Sequence, residues 1–182
     1  MKKRHENAEK RKNLHAPWRA EYLDTLSKGP GKCFLCRCRD DTSRRELNLV
    51  LWHTRRCLVV MNRFPYAGGH LLVAPNRHVG RMESLPEPVL TEMMQLARDC
   101  TLILKRAIRA EGFNIGVNIG RCAGAGLPGH IHLHVVPRWS GDTNFMSTLG
   151  DVRVIPQSLP ALREQLLKAA DDLHLPQPCH AC

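Results

Sequence analysis

The stretch His130-Ile131-His132-Leu133-His134-Val135-Val136 alternates three histidines with apolar residues. Because successive side chains of a β-strand point to opposite faces, this alternation predicts a strand with three imidazoles on one face. Ile131, Leu133 and Val135 are then expected to pack against a core on the other face. Three neighbouring imidazoles do little for a strand unless they have partners. The stretch therefore predicts a functional site.

Several further motifs stand in a fixed order around this stretch. Val59-Val60-Met61-Asn62-Arg63 and Gly68-Gly69-His70 belong to two predicted strands, and Asn118-Ile119-Gly120 precedes the histidines. Pro137-Arg138-Trp139 follows them, and Ala16-Pro17-Trp18-Arg19 stands ahead of the domain. Over about residues 45–145 the chain resembles the histidine triad, or HIT, family of nucleotide hydrolases and transferases. The last two motifs are similar to the bacterial branch with diadenosine tetraphosphate phosphorylases and fragile histidine triad proteins.

The order of predicted elements favours an α+β fold. Short Val- and Leu-rich runs predict strands at residues 47–52, 57–62, 70–75, 113–119 and 130–137. A helix with apolar residues at helical spacing is expected from 86 or 88 to 110, with Ser84 as its cap and Gly112 as its stop. Ser158 is expected to cap a last helix at 160–173. The resemblance implies a HIT-like, mainly antiparallel five-stranded sheet with one long helix and a C-terminal helix.

The chain is expected to hold one domain with short extensions. Residues 1–20 contain seven of the basic residues and two glutamates, within a chain of formal net charge +10. We interpret residues 1–15 as a basic, disordered arm, with nucleic-acid binding by this arm as the alternative. Residues 16–150 form the HIT-like catalytic domain with a zinc site, and residues 151–175 a C-terminal helix packing on it. Residues 176–182 form a tail with prolines and cysteines.

Composition bears on the cellular location of the protein and on the state of its cysteines. No segment approaches the ~20 apolar residues of a membrane span, so no membrane partner is expected. The first residues turn polar where a signal peptide needs an apolar run, which predicts a cytoplasmic location. In that setting, eight cysteines indicate metal ligands or free thiols rather than a disulfide framework.

Cys33-Phe34-Leu35-Cys36 has the C-x-x-C spacing of zinc sites and needs two more ligands for a closed tetrahedron. The resemblance supplies His78 and His130, since many bacterial HIT proteins carry a zinc held by two cysteines and two histidines. The alternative is a four-cysteine site with Cys179-His180-Ala181-Cys182, and Cys38 is a possible substitute ligand. A zinc with four protein ligands has no open position, so it is expected to be structural.

His132 is the expected nucleophile. A neutral imidazole attacks phosphorus near pH 7 without a separate base, and a covalent step divides one displacement into two easier ones. The resemblance implies attack on an α-phosphate to give a nucleotidyl-histidine. His134 is expected to contact phosphate oxygens or the leaving group, and Asn118 to donate its amide to the α-phosphate. A turn role is the alternative for Asn118.

Five further residues are expected to bind the nucleotide. Asn62 is assigned to the ribose hydroxyls, and His70 to support of the triad. Gly124 and Gly126 leave backbone amides free to approach phosphate, and Arg138 supplies charge to a polyphosphate. Ordinary structural roles stay open as alternatives for Asn62, His70 and Arg138.

The loop before the histidines departs from the family pattern. Ala125-Gly126-Leu127-Pro128-Gly129 lacks the Gln, Ser or Thr that hydrolases and phosphorylases of the family carry there. One contact to the leaving phosphate must therefore come from backbone amides or from elsewhere. The twelve residue steps from Asn118 to His130 resemble the longer loop of the phosphorylases.

These features predict an enzyme that cleaves dinucleoside polyphosphates such as diadenosine tetraphosphate, with phosphorolysis favoured over hydrolysis. Hydrolysis of nucleoside phosphoramidates or of dinucleoside polyphosphates is the alternative within the family. An alternative of another class is a non-catalytic, zinc-containing nucleic-acid binder. Only 5% of residues are aromatic, which argues against nucleic acid as the partner, because single-strand binders stack bases on aromatic rings. The resemblance also implies a homodimer.

Overall fold

A computed structural model of the protein describes residues 33–142 and 157–175. The predicted arm at 1–15 and the tail at 176–182 lie outside the described residues, and so do parts of the segments 16–150 and 151–175. Among the helices in the two described ranges, none is both long and apolar enough for a membrane span.

An antiparallel sheet of five strands organises the described residues. The strands are β1 Val50–His53, β2 Cys57–Met61, β3 Leu71–Pro75, β4 Gly112–Val117 and β5 Leu133–Arg138. Their order across the sheet is β1-β2-β3-β5-β4, so the last two strands in sequence exchange places. The predicted α+β fold with an antiparallel five-stranded sheet is confirmed.

Three α-helices accompany this sheet in the described ranges: α1 Phe34–Asp40, α2 Glu87–Ile108 and α3 Leu159–Leu173. The long helix and the C-terminal helix were expected, and they pack against each other and against one face of the sheet. Helix α1 was not predicted. It has seven residues, which is too short for a periodic apolar pattern to stand out.

Two boundaries of α2 differ from those predicted. Pro86 rather than Ser84 is the N-cap, and Ser84 ends a separate 3-10 turn. Pro88 then falls in the first turn, where its missing N–H leaves no partner unsatisfied. The helix ends before Gly112 because Arg109 takes the left-handed conformation, with φ 53°, and closes the last turn. The predicted cap of α3 is confirmed, since the Ser158 hydroxyl accepts from the Ala161 N–H at 3.4 Å.

The sheet separates two apolar clusters. The larger lies between the sheet and helices α2 and α3, and it contains Ile131, Leu133 and Val135 as the alternation predicted. The smaller cluster lies on the other face. Its buried members are Leu35, Cys38, Val50, Leu58, Val60, Leu72 and Ala74. Helix α1 contributes to it, and Leu127 packs against it from the loop at 120–129.

The predicted strand at 130–137 begins later than expected. Pairing with β4 starts at Leu133, so His130 and His132 lie in the extended segment before β5. The backbone N–H groups of this segment bond elsewhere, from His130 to the Leu127 carbonyl and from Ile131 to the Val79 carbonyl. These bonds hold the first two histidines in place without a ladder.

Candidate functional site

The ring of His132 is held in one tautomer. Its Nδ1 lies 2.9 Å from the carbonyl oxygen of His130, which can only accept, so Nδ1 carries the hydrogen. The other ring nitrogen, Nε2, then has a free lone pair. Burial lowers the pKa of His132, which is 8% exposed, so the ring is neutral at pH 7. Nε2 is therefore a basic nitrogen available for attack.

The ring of His134 is held in the opposite tautomer by a chain of hydrogen bonds. The Tyr66 N–H donates to Nδ1 of His70 at 3.1 Å, so His70 carries its hydrogen on Nε2. This Nε2 lies 2.9 Å from Nδ1 of His134, which must accept. Burial, and then the neighbouring His132, lower the pKa of His134 to about 4. Neutral His134 consequently carries its hydrogen on Nε2, as a donor.

The two central histidines therefore form a complementary pair. Their ring centroids are 4.9 Å apart, with an interplanar angle of 64°. One ring offers a lone pair and the other a proton, both on the Nε2 atom. A lone pair beside a hydrogen-bond donor suits displacement at phosphorus, because the donor can stabilise the negative charge that develops on the leaving oxygen as the new bond forms.

Asn62 contacts His70. Its Nδ2 lies 3.2 Å from Nδ1 of His70, and its Oδ1 accepts from the Phe64 N–H at 3.0 Å. In this structure Asn62 helps fix the His70 tautomer, and its assignment to ribose stays a prediction. Tyr66 was missed from the sequence, although its ring stacks on His70 at 4.8 Å. An aromatic residue in the turn just before a strand with a candidate histidine could have indicated it.

Asn118 follows directly on β4. The last pair of the β4–β5 register is Val117 with Leu133, so Asn118 and His132 are the next residues beyond the two paired strand ends. The assignment of Asn118 to the α-phosphate stays a prediction. Gly116 pairs with His134, and a Cβ built on Gly116 meets nothing within 4 Å. The glycine therefore leaves open space next to His134 on this side of the sheet.

The two glycines assigned to phosphate differ in what they offer. Gly124 has φ 83°, in the left-handed region, and its N–H bonds to the Arg121 carbonyl at 3.0 Å. Its amide is therefore already used within the loop. The N–H of Gly126 has no acceptor among the described residues, so this amide is the better candidate for phosphate.

Arg138 is engaged away from the triad. Its guanidinium donates to both carboxylate oxygens of Asp142, at 2.5 and 2.7 Å, and to Oδ1 of Asn114 at 2.8 Å. It is four residue steps along the strand from His134, or about 13 Å. The structure does not bring Arg138 to the triad, and its assignment to polyphosphate stays a prediction.

The four ligand candidates meet at one place. The side-chain donor atoms of Cys33, Cys36, His78 and His130 all lie within 4.8 Å of one another. Sγ of Cys33 is 3.2 Å from Nδ1 of His130, and Sγ of Cys36 is 3.3 Å from Nδ1 of His78. Helix α1 carries one of the cysteines, and the other stands just before it.

This cluster fits a tetrahedral metal. Nε2 of His130 donates to the Pro75 carbonyl at 2.8 Å, which leaves Nδ1 free of hydrogen and turned to the cysteines. Zinc bonds of ~2.3 Å to sulfur and ~2.0 Å to nitrogen would hold these atoms about 3.6 Å apart. Cys38 is outside the cluster, since its Sγ contacts the Asn48 carbonyl. The rival ligands Cys179 and Cys182 lie outside the described residues.

Known proteins with similar sequences contain the same kind of domain. The HIT domain family profile matches residues 45–141. An AP-4-A phosphorylase from Mycobacterium tuberculosis is 40% identical over 121 residues, which are 66% of this chain and 62% of that protein. An asymmetrical bis(5'-nucleosyl)-tetraphosphatase from Schizosaccharomyces pombe is 32% identical over 93 residues, which are 51% of this chain and 50% of that protein. The chain thus spans less than two thirds of either relative.

A solved structure has the same fold. The Zn-bound histidine triad family protein from Mycobacterium smegmatis superposes with a TM-score of 0.66 at 25% sequence identity. The match covers 80% of this chain and 98% of that one. With the family match extending over more than half of its residues, the chain belongs to the HIT domain family.

Proposed function

We propose that the protein is an enzyme that cleaves dinucleoside polyphosphates, such as diadenosine tetraphosphate, at an α-phosphate. The observation that carries the proposal is the opposite tautomers of His132 and His134, which put a lone pair beside a proton. The similarity to an AP-4-A phosphorylase and to a bis(5'-nucleosyl)-tetraphosphatase supports this substrate class.

In the first step, Nε2 of His132 attacks the α-phosphorus, and the bond from phosphorus to the bridging oxygen breaks. The nucleoside polyphosphate leaves as an anion, and the Nε2–H of neutral His134 donates a hydrogen bond to the leaving oxygen as its negative charge grows. His132 then carries the nucleoside monophosphate on Nε2, while its Nδ1 keeps the hydrogen bond to the His130 carbonyl. Asn118, the first residue after β4, is assigned to the α-phosphate, where its amide can donate to an oxygen.

In the second step, an acceptor attacks the same phosphorus and the bond to His132 breaks. We propose inorganic phosphate as the acceptor, which gives a nucleoside diphosphate and restores the lone pair on Nε2 of His132. The Gly126 N–H, without an acceptor among the described residues, is available to the incoming anion. Water as the acceptor would give a nucleoside monophosphate instead, as expected for the hydrolase alternative.

The products distinguish the two acceptors. Diadenosine tetraphosphate with saturating inorganic phosphate is expected to give ADP and ATP in equal amounts, because phosphate enters the product bound to the nucleoside monophosphate. Product identification by mass, with isotopically labelled phosphate, checks this and places the label in ADP alone. AMP as the product at saturating phosphate would contradict phosphorolysis and leave hydrolysis in its place.

The same residues serve the phosphoramidate alternative, in which an amine rather than a polyphosphate leaves from the α-phosphorus. The Gly- and Ala-rich loop, which lacks the polar side chain usual in the family, is compatible with such a small leaving group. Turnover of a phosphoramidate far above that of any dinucleoside polyphosphate would favour this alternative.

We propose that Cys33, Cys36, His78 and His130 bind one structural Zn²⁺. The hydrogen bond from His130 Nε2 to the Pro75 carbonyl supports this, as do the short sulfur-to-nitrogen distances. The Zn-bound relative from Mycobacterium smegmatis also supports it. A metal with four protein ligands would supply folding free energy and hold the start of α1 against the segment before β5.

We propose that the protein is a homodimer joined through β4, which is an edge strand of the sheet in residues 33–142 and 157–175. Ile115 is 44% exposed on this strand, and Ile119, just after it, is 49% exposed. Two large exposed apolar side chains on or beside an edge strand favour pairing with a second copy.

Light scattering coupled to gel filtration tests the dimer. Ile115→Lys is expected to halve the measured mass, because a buried, unpaired ammonium group is costly at such an edge. Leu47→Lys, on a residue 69% exposed beside the opposite edge strand, is the matched control and should leave the mass unchanged. A wild-type monomer, or a dimer that survives Ile115→Lys, would refute this interface.

A cytoplasmic location stays a prediction. The six cysteines in the described residues form no disulfide, and four of them, including the buried Cys57 and Cys100, are also outside the proposed metal cluster. Free thiols are the state that a reducing compartment maintains, which supports this location.

A further inference from the structure

One side chain of the loop before the histidines takes no part in the fold. Between Gly120 and Gly129 the side chains are those of Arg121, Cys122, Ala123, Ala125, Leu127 and Pro128. Arg121 is the only strong hydrogen-bond donor among them. The loop therefore has one cationic group, which stands before the stretch 125–129 that lacks the usual polar side chain of the family.

Arg121 also has no counter-charge in the part of the chain that the structure describes. It is exposed, and its side chain has no ion pair or hydrogen bond with any residue in 33–142 or 157–175. No Asp or Glu occurs in the chain between Glu111 and Asp142. Arg138, the other arginine of this region, is neutralised by Asp142. A guanidinium without a carboxylate, beside a site for polyanions, is free to bind phosphate.

The loop keeps Arg121 close to the triad. It is three residue steps from Asn118, the first residue after β4, so at most about 10 Å of chain lies between them. Farther along, Leu127 packs on the smaller apolar cluster before the chain reaches His130. Gly124 N–H bonds to the Arg121 carbonyl and Ala125 N–H to the Gly120 carbonyl, so the turn that carries the arginine has a defined shape.

We propose that Arg121 binds the phosphates beyond the one that His132 attacks, and so selects long polyphosphates over nucleotides with a single phosphate. Its planar guanidinium can bridge oxygens of two successive phosphates, whereas the histidine pair acts only at the α-phosphorus. Arg121 is thus a specificity-determining residue. This inference rests on the proposed function and adds the residue that distinguishes substrates by charge.

The experiment compares two substrates. For wild type and Arg121→Gln, kcat/KM is measured with diadenosine tetraphosphate and with adenosine 5'-phosphoramidate, which has one phosphate. The ratio of the two values is expected to fall about tenfold to a hundredfold in Arg121→Gln, the usual loss for a hydrogen bond to a charged group. Arg121→Lys should give an intermediate ratio. Arg55→Gln, an exposed arginine in the turn between β1 and β2, is the matched control.

Two results would overturn the inference: an unchanged ratio in Arg121→Gln, or an equal loss on both substrates. If wild type cleaves only the phosphoramidate, the proposed function has failed, and Arg121 is tested through competitive inhibition by inorganic tripolyphosphate. If wild type cleaves neither substrate, calorimetric binding of tripolyphosphate replaces turnover. In both cases weaker binding by Arg121→Gln supports the inference, and equal binding overturns it.

Discussion

The His132→Ala variant is expected to lose turnover of diadenosine tetraphosphate by about ten thousandfold or more, the usual cost of deleting a covalent nucleophile. The loss is large because Nε2 of His132 is the basic nitrogen that its hydrogen bond to the His130 carbonyl leaves free. Steady-state kinetics measures the effect. An acid-quenched reaction of the wild-type protein should contain a nucleotidyl adduct on His132, located by peptide mass spectrometry.

The control is His174→Asn, which changes an exposed histidine at the end of α3. His174 has φ 53°, and asparagine tolerates this left-handed conformation. Near-wild-type activity in His174→Asn with an inactive, folded His132→Ala supports the covalent route. Substantial turnover by His132→Ala, or an adduct on His70 or His134, would exclude His132 as the nucleophile.

Cys33→Ser is expected to reduce bound zinc from one per chain to well below one, and to lower the melting temperature by about 10 °C or more. The serine hydroxyl is a poor zinc ligand at neutral pH, so the tetrahedral site would lose one of its four ligands. His78→Ala should behave in the same way. Metal content by mass spectrometry and thermal unfolding by calorimetry measure both effects. A chelator should lower the melting temperature before it lowers activity.

Two controls separate this site from its rival. Cys122→Ser removes an exposed cysteine that is outside the cluster, and it should change neither the zinc content nor the melting temperature. Deletion of residues 176–182 should leave zinc in place. The opposite pattern, with zinc lost on deletion of the tail and kept in Cys33→Ser, would favour the four-cysteine site.

Part of this architecture could be predicted because it depends on local pattern. The alternation around the triad puts Ile131, Leu133 and Val135 in the main core whatever strand lies beside them. The spacing of Cys33 and Cys36 is typical of a metal site, and the family resemblance supplied the two histidines that the structure brings to them. The capping side chain of Ser158 likewise acts within its own turn.

The remaining features depend on register and on distant partners. The bond between His70 and His134 joins residues 64 positions apart, and it requires the pairing of β3 with β5. The ion pair between Arg138 and Asp142 depends on the turn after β5, which brings the Asp142 carboxylate back to the Arg138 guanidinium. No local propensity encodes either contact. The same holds for Arg121, which differs from other surface arginines only in what surrounds it.

His130 contributes to the two centres through different parts of one residue. Its side chain belongs to the proposed metal-binding cluster, whereas its main-chain oxygen accepts a hydrogen bond from Nδ1 of His132, the proposed nucleophile. Every amino acid at this position has that oxygen, so a side-chain substitution cannot delete the orienting bond. Substitution of the ligand side chains could therefore remove the proposed metal site, while the main-chain bond would still hold His132 in the same tautomer. The orientation of His132 and the proposed metal site could therefore change independently in related proteins, although His130 takes part in both.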